Sequence, residues 1–322
     1  MSIDFAFVGF RHGHVFGLLK AVEAREGLRV VARCEENPAD SLADAGDITH
    51  QDFGRMLAEV ECDVVAIGDT YGRRGALAAA ALEAGRHVIS DKPLCTRLEE
   101  WERIHELATA KRLAVGCQFD LRADRCLRRL QRLIAEGELG EVHTVSVTGQ
   151  HPLLRHKRPG WYFEPGSHGG TLNDIAAHAV DAIPWLTGRR VAAVVAARAW
   201  NAKTPDVPHF QDAAQFMLRL DNDGGVLGDM SYLAPDGSGY RMENYWRFLI
   251  HGTDGQAQAT LGGAAVQLVR HADREPRLID AEAEPAGAYL DDFLDEVRGE
   301  RPRCGLDTAT VLRSAQVGLL VQ

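Results

Sequence analysis

Ile3-Asp4-Phe5-Ala6-Phe7-Val8-Gly9-Phe10-Arg11-His12-Gly13-His14 is an apolar run broken only by Asp4 and followed by a glycine turn. The run suits a buried parallel strand. Val15 to Ala24 then has helical character, and Leu28 to Ala32 reads as a second strand that stops at Arg33-Cys34-Glu35-Glu36-Asn37-Pro38. In a strand, glycine turn, helix and strand unit, N–H groups at the helix start meet a pyrophosphate. An acid at the end of the second strand accepts from the adenosine ribose hydroxyls. The unit therefore predicts a dinucleotide site built from Gly9, Arg11, His12, Gly13, His14 and Glu35. Counted from Gly9, the second and third glycines of Gly-x-Gly-x-x-Gly fall on Arg11 and His14. Those side chains either crowd the phosphates or, for Arg11, pair with one. His12 and His14 have no further ligands at a recognisable spacing, so no metal is expected there.

The alternation continues along the chain. Phe53 to Val60 is a helix, Val64 to Gly68 a strand, and Asp69-Thr70-Tyr71-Gly72-Arg73-Arg74 a polar loop. The Ala-rich helix from Ala76 to Ala84 ends at Gly85, where a C-cap glycine belongs. His87 to Ser90 is a strand that runs into Asp91-Lys92-Pro93. Leu98 to Lys111 is a helix and Leu113 to Cys117 a short strand. Strands alternating with helices over this length predict a doubly wound parallel sheet with right-handed crossovers. Gly9, Glu35, Asp69 with Thr70, and Lys92 all follow strands, so they share the edge where ligands bind. Lys92 is either a solvated turn residue or, held by Pro93, a cation above that edge.

With 322 residues, two domains are expected, residues 1–120 and 121–322. Hydrophobic residues at 45% and charged residues at 25% describe a globular chain. A formal net charge of −10 gives no basic field for nucleic acid. No apolar stretch is long enough to span a bilayer and no signal peptide is apparent, so no membrane partner is expected. The six cysteines lack Cys-x-x-Cys spacing, which argues against zinc or a disulfide framework and for a reduced, cytoplasmic location.

Past Phe119 the pattern changes. A basic helix from about Ala123 to Glu136 precedes the strand Val142 to Gly149 and a loop, Gln150 to His168, rich in His, Pro and aromatics. Strands follow at Val191 to Trp200, Ala213 to Leu220, Gly225 to Tyr232, Trp246 to His251 and Ala257 to Leu261, with turn signals that suit an antiparallel sheet. Two helices, about 288–298 and 307–321, come after them. Between loop and sheet lies Gly169-Gly170-Thr171-Leu172-Asn173-Asp174-Ile175-Ala176-Ala177-His178. On a helix, Asp174 and His178 share a face and can act on one ligand; alternatively the segment is a capped, buried helix with its His satisfied in the core.

Ala84-Gly85-Arg86-His87-Val88-Ile89-Ser90-Asp91-Lys92-Pro93, Gly169 to Asp174 with His178, and the turn after Val8 together resemble the Gfo/Idh/MocA oxidoreductases over essentially the whole chain. Asp91 replaces the usual Glu and Ala176 the usual Gly. The resemblance implies an α/β fold, an N-terminal Rossmann domain followed by a C-terminal α+β domain with an open, mainly antiparallel sheet that often forms homo-oligomer contacts, as a dimer or tetramer. It implies hydride transfer between NAD(P) and a sugar, cyclitol or related polyol. By position, Lys92, Asp174 and His178 become the catalytic residues. A base for the hydroxyl proton, a cation for the developing alkoxide and a carboxylate to orient the base suit alcohol oxidation. Where the family usually has Thr-Pro-Asn and a following His, this chain has Asp69-Thr70-Tyr71 and Arg74. Glu35 would repel a 2′-phosphate and favours NAD, while Arg11 and Arg33 keep NADP open. Arg122, Asn173, Trp161 and Tyr162 are substrate-side candidates, the aromatic loop being either a substrate wall or a subunit contact. Alternatives are a tightly bound, recycled NAD serving elimination or glycoside cleavage, and a non-catalytic ligand sensor.

Overall fold

A computed structural model describes residues 2–37, 41, 45–281 and 289–322. The chain divides into two compact units, one made of residues 1–118, 159–169 and 289–316, the other of 119–158, 170–288 and 317–322.

The first unit contains β1 (Ile3–Val8), α1 (His14–Glu23), β2 (Leu28–Cys34), α2 (Phe53–Glu59), β3 (Val64–Ile67), α3 (Tyr71–Glu83), β4 (His87–Ser90), α4 (Leu98–Lys111) and β5 (Val115–Cys117). Its five strands lie in the order β2-β1-β3-β4-β5 and pair in parallel. Val15, Leu18, Leu19 and Val22 form the helical stripe that buries α1. They pack in one core with Phe5, Phe7 and Phe10. Strand order reverses at β1, which opens a crevice at the carboxyl ends of β1 and β3, the usual ligand position on such a sheet.

One local expectation is corrected. Tyr71 to Arg74 are not a loop but the first turn of α3, which starts at Tyr71. The polar sequence concealed this because Arg74 is fully buried. Its guanidinium donates to the carbonyls of Asp69 (2.8 Å) and Lys92 and reaches the Asp91 carboxylate (3.1 Å), so an inner helical turn carries a charged residue.

The second unit holds α5 (Arg125–Ala135), β6 (Val142–Pro152), α6 (Ala177–Thr187), β7 (Val191–Trp200), β8 (Ala213–Leu220), β9 (Gly225–Ala234), β10 (Arg247–Gly252), β11 (Gly255–Thr260), β12 (Ala265–Arg270) and β13 (Arg277–Asp280). Asp124 caps α5 by accepting the Leu127 N–H at 3.0 Å. The sheet order is β13-β12-β11-β10-β6-β9-β8-β7. Among the described strands of this sheet, only the central β6–β9 pair is parallel. β12 and β13 are additions to the sequence reading; β13 is a four-residue edge strand with mostly exposed side chains, so it lacks the buried alternation that marks a strand.

Two further helices, α7 (Tyr289–Val297) and α8 (Thr308–Val321), complete the chain. The expected α7 start at residue 288 lies outside the described residues. α7 sets Phe293 against β5 so closely that a Cβ on Gly116 would lie 2.7 Å from its ring. Thr308 Oγ1 accepts the Val115 N–H at 2.8 Å. Segments 159–169 and 289–316 thus return to the first unit, which the contiguous division into 1–120 and 121–322 did not include. Among the described residues no helix is long and apolar enough to cross a membrane.

Candidate active site

The glycine turn of the first unit is tightly specified. Gly9 has φ +74°, and a Cβ there would lie 2.6 Å from the Asp69 backbone, so only glycine fits where β1 and β3 approach. A Cβ on Gly13, just ahead of α1, would meet nothing within 4 Å, so the space beside the helix start is open. Glu35 stands just past the end of β2, as the sequence reading places it, but it is fully buried. Its Oε2 accepts the Phe10 N–H at 2.9 Å. Its Oε1 accepts from the Arg11 guanidinium at 2.8 Å and from the Asn37 N–H at 3.0 Å. Asp69 lies 3.7 Å from Arg11 and 3.4 Å from Arg73 and accepts the Thr70 N–H at 2.6 Å. Burial pushes the Asp69 carboxyl above its ordinary range, against the pull of Arg73 and Arg11.

Asp91 is the second focus. Its buried carboxylate meets His12 Nδ1 through one oxygen and His14 Nδ1 through the other, at 3.0 Å, and also Arg74. Burial opposes its charge, but the neighbouring His12, Arg74 and His14 hold its carboxyl well below the usual range. Burial also pushes His12 down to about 4, against the pull of Asp91. Lys92 is buried, with Nζ 5.7 Å from the Tyr71 ring centroid. Tyr71 packs edge-on to Trp161 and His12 and shares a 2.8 Å hydroxyl contact with Tyr162. The Trp161 indole N–H donates to the Arg11 carbonyl at 3.2 Å. Trp161 and Tyr162 are therefore buried beside the glycine turn of their own unit. A cavity of about 550 Å³ opens there, lined by Arg11, Thr70, Arg73, Trp161, Glu164 and Ser167 among others.

Asp174 and His178 belong to the second unit. Residues Leu172–Ala176 form a π-helical turn ahead of α6, so Asp174 lies in the π turn and His178 in the first turn of α6. Gly169 and Gly170 lead into the turn with φ +77° and +97°. Asp174 is buried and accepts from the Tyr232 hydroxyl, while His178 Nδ1 lies 3.4 Å from Asp120. The His178 ring also packs edge-on to Trp246 and Phe119. Asn173 is buried and its N–H donates to Gln322 Oε1 at 3.2 Å. Arg122 forms a two-point buried pair with Asp181, both bonds 2.8 Å. Tyr232, Asp120 and Trp246 were not singled out by sequence. Each is remote in the chain from the residue it meets (Tyr232 lies 58 residues from Asp174) and none sits in a local motif.

A parallel sheet with a glycine turn at its switch point, joined to a second unit built on a large open sheet, defines a dinucleotide-binding α/β protein. Residues 3–119 match the oxidoreductase family model with an NAD-binding Rossmann fold, and residues 127–258 match the GFO/IDH/MocA C-terminal domain. The chain belongs to the Gfo/Idh/MocA family. It is 29% identical over 191 residues to scyllo-inositol 2-dehydrogenase (NADP(+)) IolW of Bacillus subtilis, a match covering 57% of this chain and 50% of that protein. Against inositol 2-dehydrogenase 1 of Saccharopolyspora erythraea it is 25% identical over 279 residues, 82% of this chain and 78% of the relative. The chain thus spans about half the length of the first of these relatives. A putative oxidoreductase from Erwinia carotovora atroseptica shares the fold, with TM-score 0.87 at 22% identity over 99% of this chain and 98% of that one.

The residues at the turn fit a dinucleotide. Gly9 permits close approach, the ten-residue helix α1 directs N–H groups toward an anion, and Arg11 and Arg73 supply cations beside a roomy cavity. The ribose contact expected of Glu35 is altered, because its buried carboxylate is already held by the Phe10 and Asn37 N–H groups and Arg11.

Proposed function

We propose that this chain is an NAD(P)-dependent oxidoreductase acting on a secondary alcohol or ketone of a sugar, cyclitol or related polyol. The observation that carries the reading is family membership over both units together with retention of Lys92, Asp174 and His178 at buried positions. The names of the inositol dehydrogenases it resembles support the substrate class.

Bound NAD(P) would supply the hydride-transfer chemistry. The protein supplies the rest. Gly9 and the start of α1 would hold the pyrophosphate, with Arg11 and Arg73 to offset its charge. Lys92 stabilises negative charge developing on the substrate oxygen. His178 takes the hydroxyl proton, a contribution of about 10²–10⁴-fold, and Asp120 beside its Nδ1 favours the imidazolium that results. Asp174, fixed by Tyr232, orders the π turn that presents His178. Trp161 and Tyr162 support the glycine turn, and Asn173 and Arg122 are the further residues assigned to substrate binding. The exposed Val195, Met217, Leu227 and Leu233 on the strands β7 to β9 support a homo-oligomer formed through this sheet. Five buried cysteine thiols support a reducing, cytoplasmic setting.

The test is calorimetric titration with NAD(H) and NADP(H), after a check for cofactor retained through purification, and then a polyol screen followed by nicotinamide absorbance. Binding of one pair and net absorbance change with a polyol are expected. Turnover without net absorbance change would replace the dehydrogenase reading with recycled-NAD chemistry. No binding of either pair would end it.

A further inference from the structure

We propose that His12, His14 and Asp91 bind one divalent transition-metal ion, with Zn²⁺ the first choice. The site shares His12 and His14 with the turn expected to hold the dinucleotide, but takes no residue from Lys92, Asp174 or His178. Three donors from two distant segments meet at the carboxyl edge of the sheet, with one atom from each lying within 4.8 Å of the others. Ligands at ~2.1 Å from a tetrahedral ion are separated by roughly 3.4 Å. Small side-chain rotations therefore convert the present cluster into a coordination shell. The two imidazoles stand edge to face with centroids 4.6 Å apart and address different oxygens of the same carboxylate. The sequence reading expected no metal at His12 and His14 because the third donor comes from a segment 77 residues beyond His14.

Burial grades across the site in a useful way. The Asp91 side chain is fully buried, that of His12 is 12% exposed and that of His14 is 38% exposed. Two ligands are thus largely buried and the third is nearer solvent. Gly13, between the histidines, adds no side chain to block it. Arg74, 3.1 Å from Asp91, orients the carboxylate as an outer-shell partner. Arg74 and Lys92 are also cations in the same neighbourhood, so affinity falls below that of a closed four-ligand structural site. Two imidazoles and one carboxylate suit Zn²⁺, Co²⁺ or Fe²⁺ and disfavour Mg²⁺, which prefers oxygen ligands. Three protein ligands leave a position open for water or a ligand oxygen.

The experiment uses the full chain stripped with chelator, titrated with Co²⁺ without nicotinamide cofactor and then challenged with Zn²⁺ or Mg²⁺. The expected result is one equivalent of Co²⁺ with visible ligand-field absorption, displaced by Zn²⁺ and not by Mg²⁺. His14→Ala removes the partly exposed ligand, and its fold is checked by circular dichroism. It should weaken binding by more than ~100-fold, since outer-shell losses alone cost 10–100-fold. His12→Gln should do the same. If His12→Gln fails to fold, wild type and His14→Ala decide alone. No Co²⁺ absorption in the wild type overturns the proposal, as does undiminished affinity in His14→Ala.

Discussion

Arg11 and Glu35 form the pair that most changes the meaning of the glycine turn. The guanidinium side chain is 10% exposed and the carboxylate fully buried, so neither charge is well solvated alone. A buried pair is weak evidence of net stability, but removing one partner strands the other. Arg11→Ala should therefore destabilise the protein by about 3 kcal/mol or more, read from urea unfolding, with Arg11→Lys recovering only part because the two-point fork is lost. A loss well under ~1 kcal/mol would show that Glu35 is satisfied by the Phe10 and Asn37 N–H groups. His87 carries a pH-dependent share. Its Nδ1 accepts the Ala114 N–H at 2.8 Å, so the ring must be neutral with its proton on Nε2. Burial lowers its pKa below 6.5, against Asp63. The unfolded chain takes up a proton as pH falls through 6.5 while the folded chain resists, so this stability is present above 6.5 and is lost on acidification. Comparing unfolding at pH about 7.5 and about 5.5, the wild type should lose more stability than His87→Asn, whose amide oxygen keeps the acceptor. Equal losses would assign the acid sensitivity elsewhere.

Among the elements, the π turn at Leu172–Ala176 is the one that leaves no mark on local periodicity. Its start is secured by Gln322, whose Oε1 accepts the Leu172 and Asn173 N–H groups at 2.9 and 3.2 Å. Gly170 reaches φ +97°, and a Cβ there would lie 2.1 Å from the Gln322 side chain. Gly170→Ala should cost about 1–3 kcal/mol from backbone strain and, by disturbing Asp174, reduce activity beyond the loss in stability. Thermal unfolding and kcat measured together check this; a stability loss with unchanged kcat would remove the turn from the active site. The apolar run through Val180, Ile183 and Leu186 marks the helix α6, which begins at Ala177 and is buried almost all round. The extra backbone residue in the turn changes no side-chain pattern strongly enough to be seen in sequence.

Over the whole molecule, five of the six cysteines are buried and Cys304 is half-exposed. Burial pushes Cys34 up to about 12 and Cys126 up to about 11, so neither is a ready thiolate. A thiol reagent should modify one cysteine in the native protein and six after unfolding; rapid native modification of more would mean that a unit carrying buried cysteines opens easily. The large sheet makes a second prediction. Met217 and Leu227 are cross-strand partners and 42% and 52% exposed, a pair of apolar side chains that a monomer has no reason to leave in water. Sedimentation should give a dimer or tetramer, and Leu227→Glu a smaller species with unchanged secondary structure. A monomeric wild type would sink the oligomer proposal.

Much of the first unit was legible because its determinants are local. The run Phe5 to Val8, the stripe from Val15 to Val22 and the glycine between them are consequences of strand and helix period, and period is written into consecutive residues. The acid at the end of β2 and the lysine after β4 followed from the same count. What those side chains do was decided only in three dimensions. The parallel order β2-β1-β3-β4-β5 brings the ends of β1 and β4 to one edge, and so delivers Asp91 to His14 across 77 residues. Arg11 reads from sequence as a phosphate ligand or an obstacle; only the fold shows it paired with Glu35 while still lining the cavity. Tyr232 likewise becomes the partner of Asp174 only when β9 lies beside β6. Hydrophobic patterning selects which face of each element is buried; the partners of a buried charge depend on which elements meet, and that is set by packing of the whole sheet.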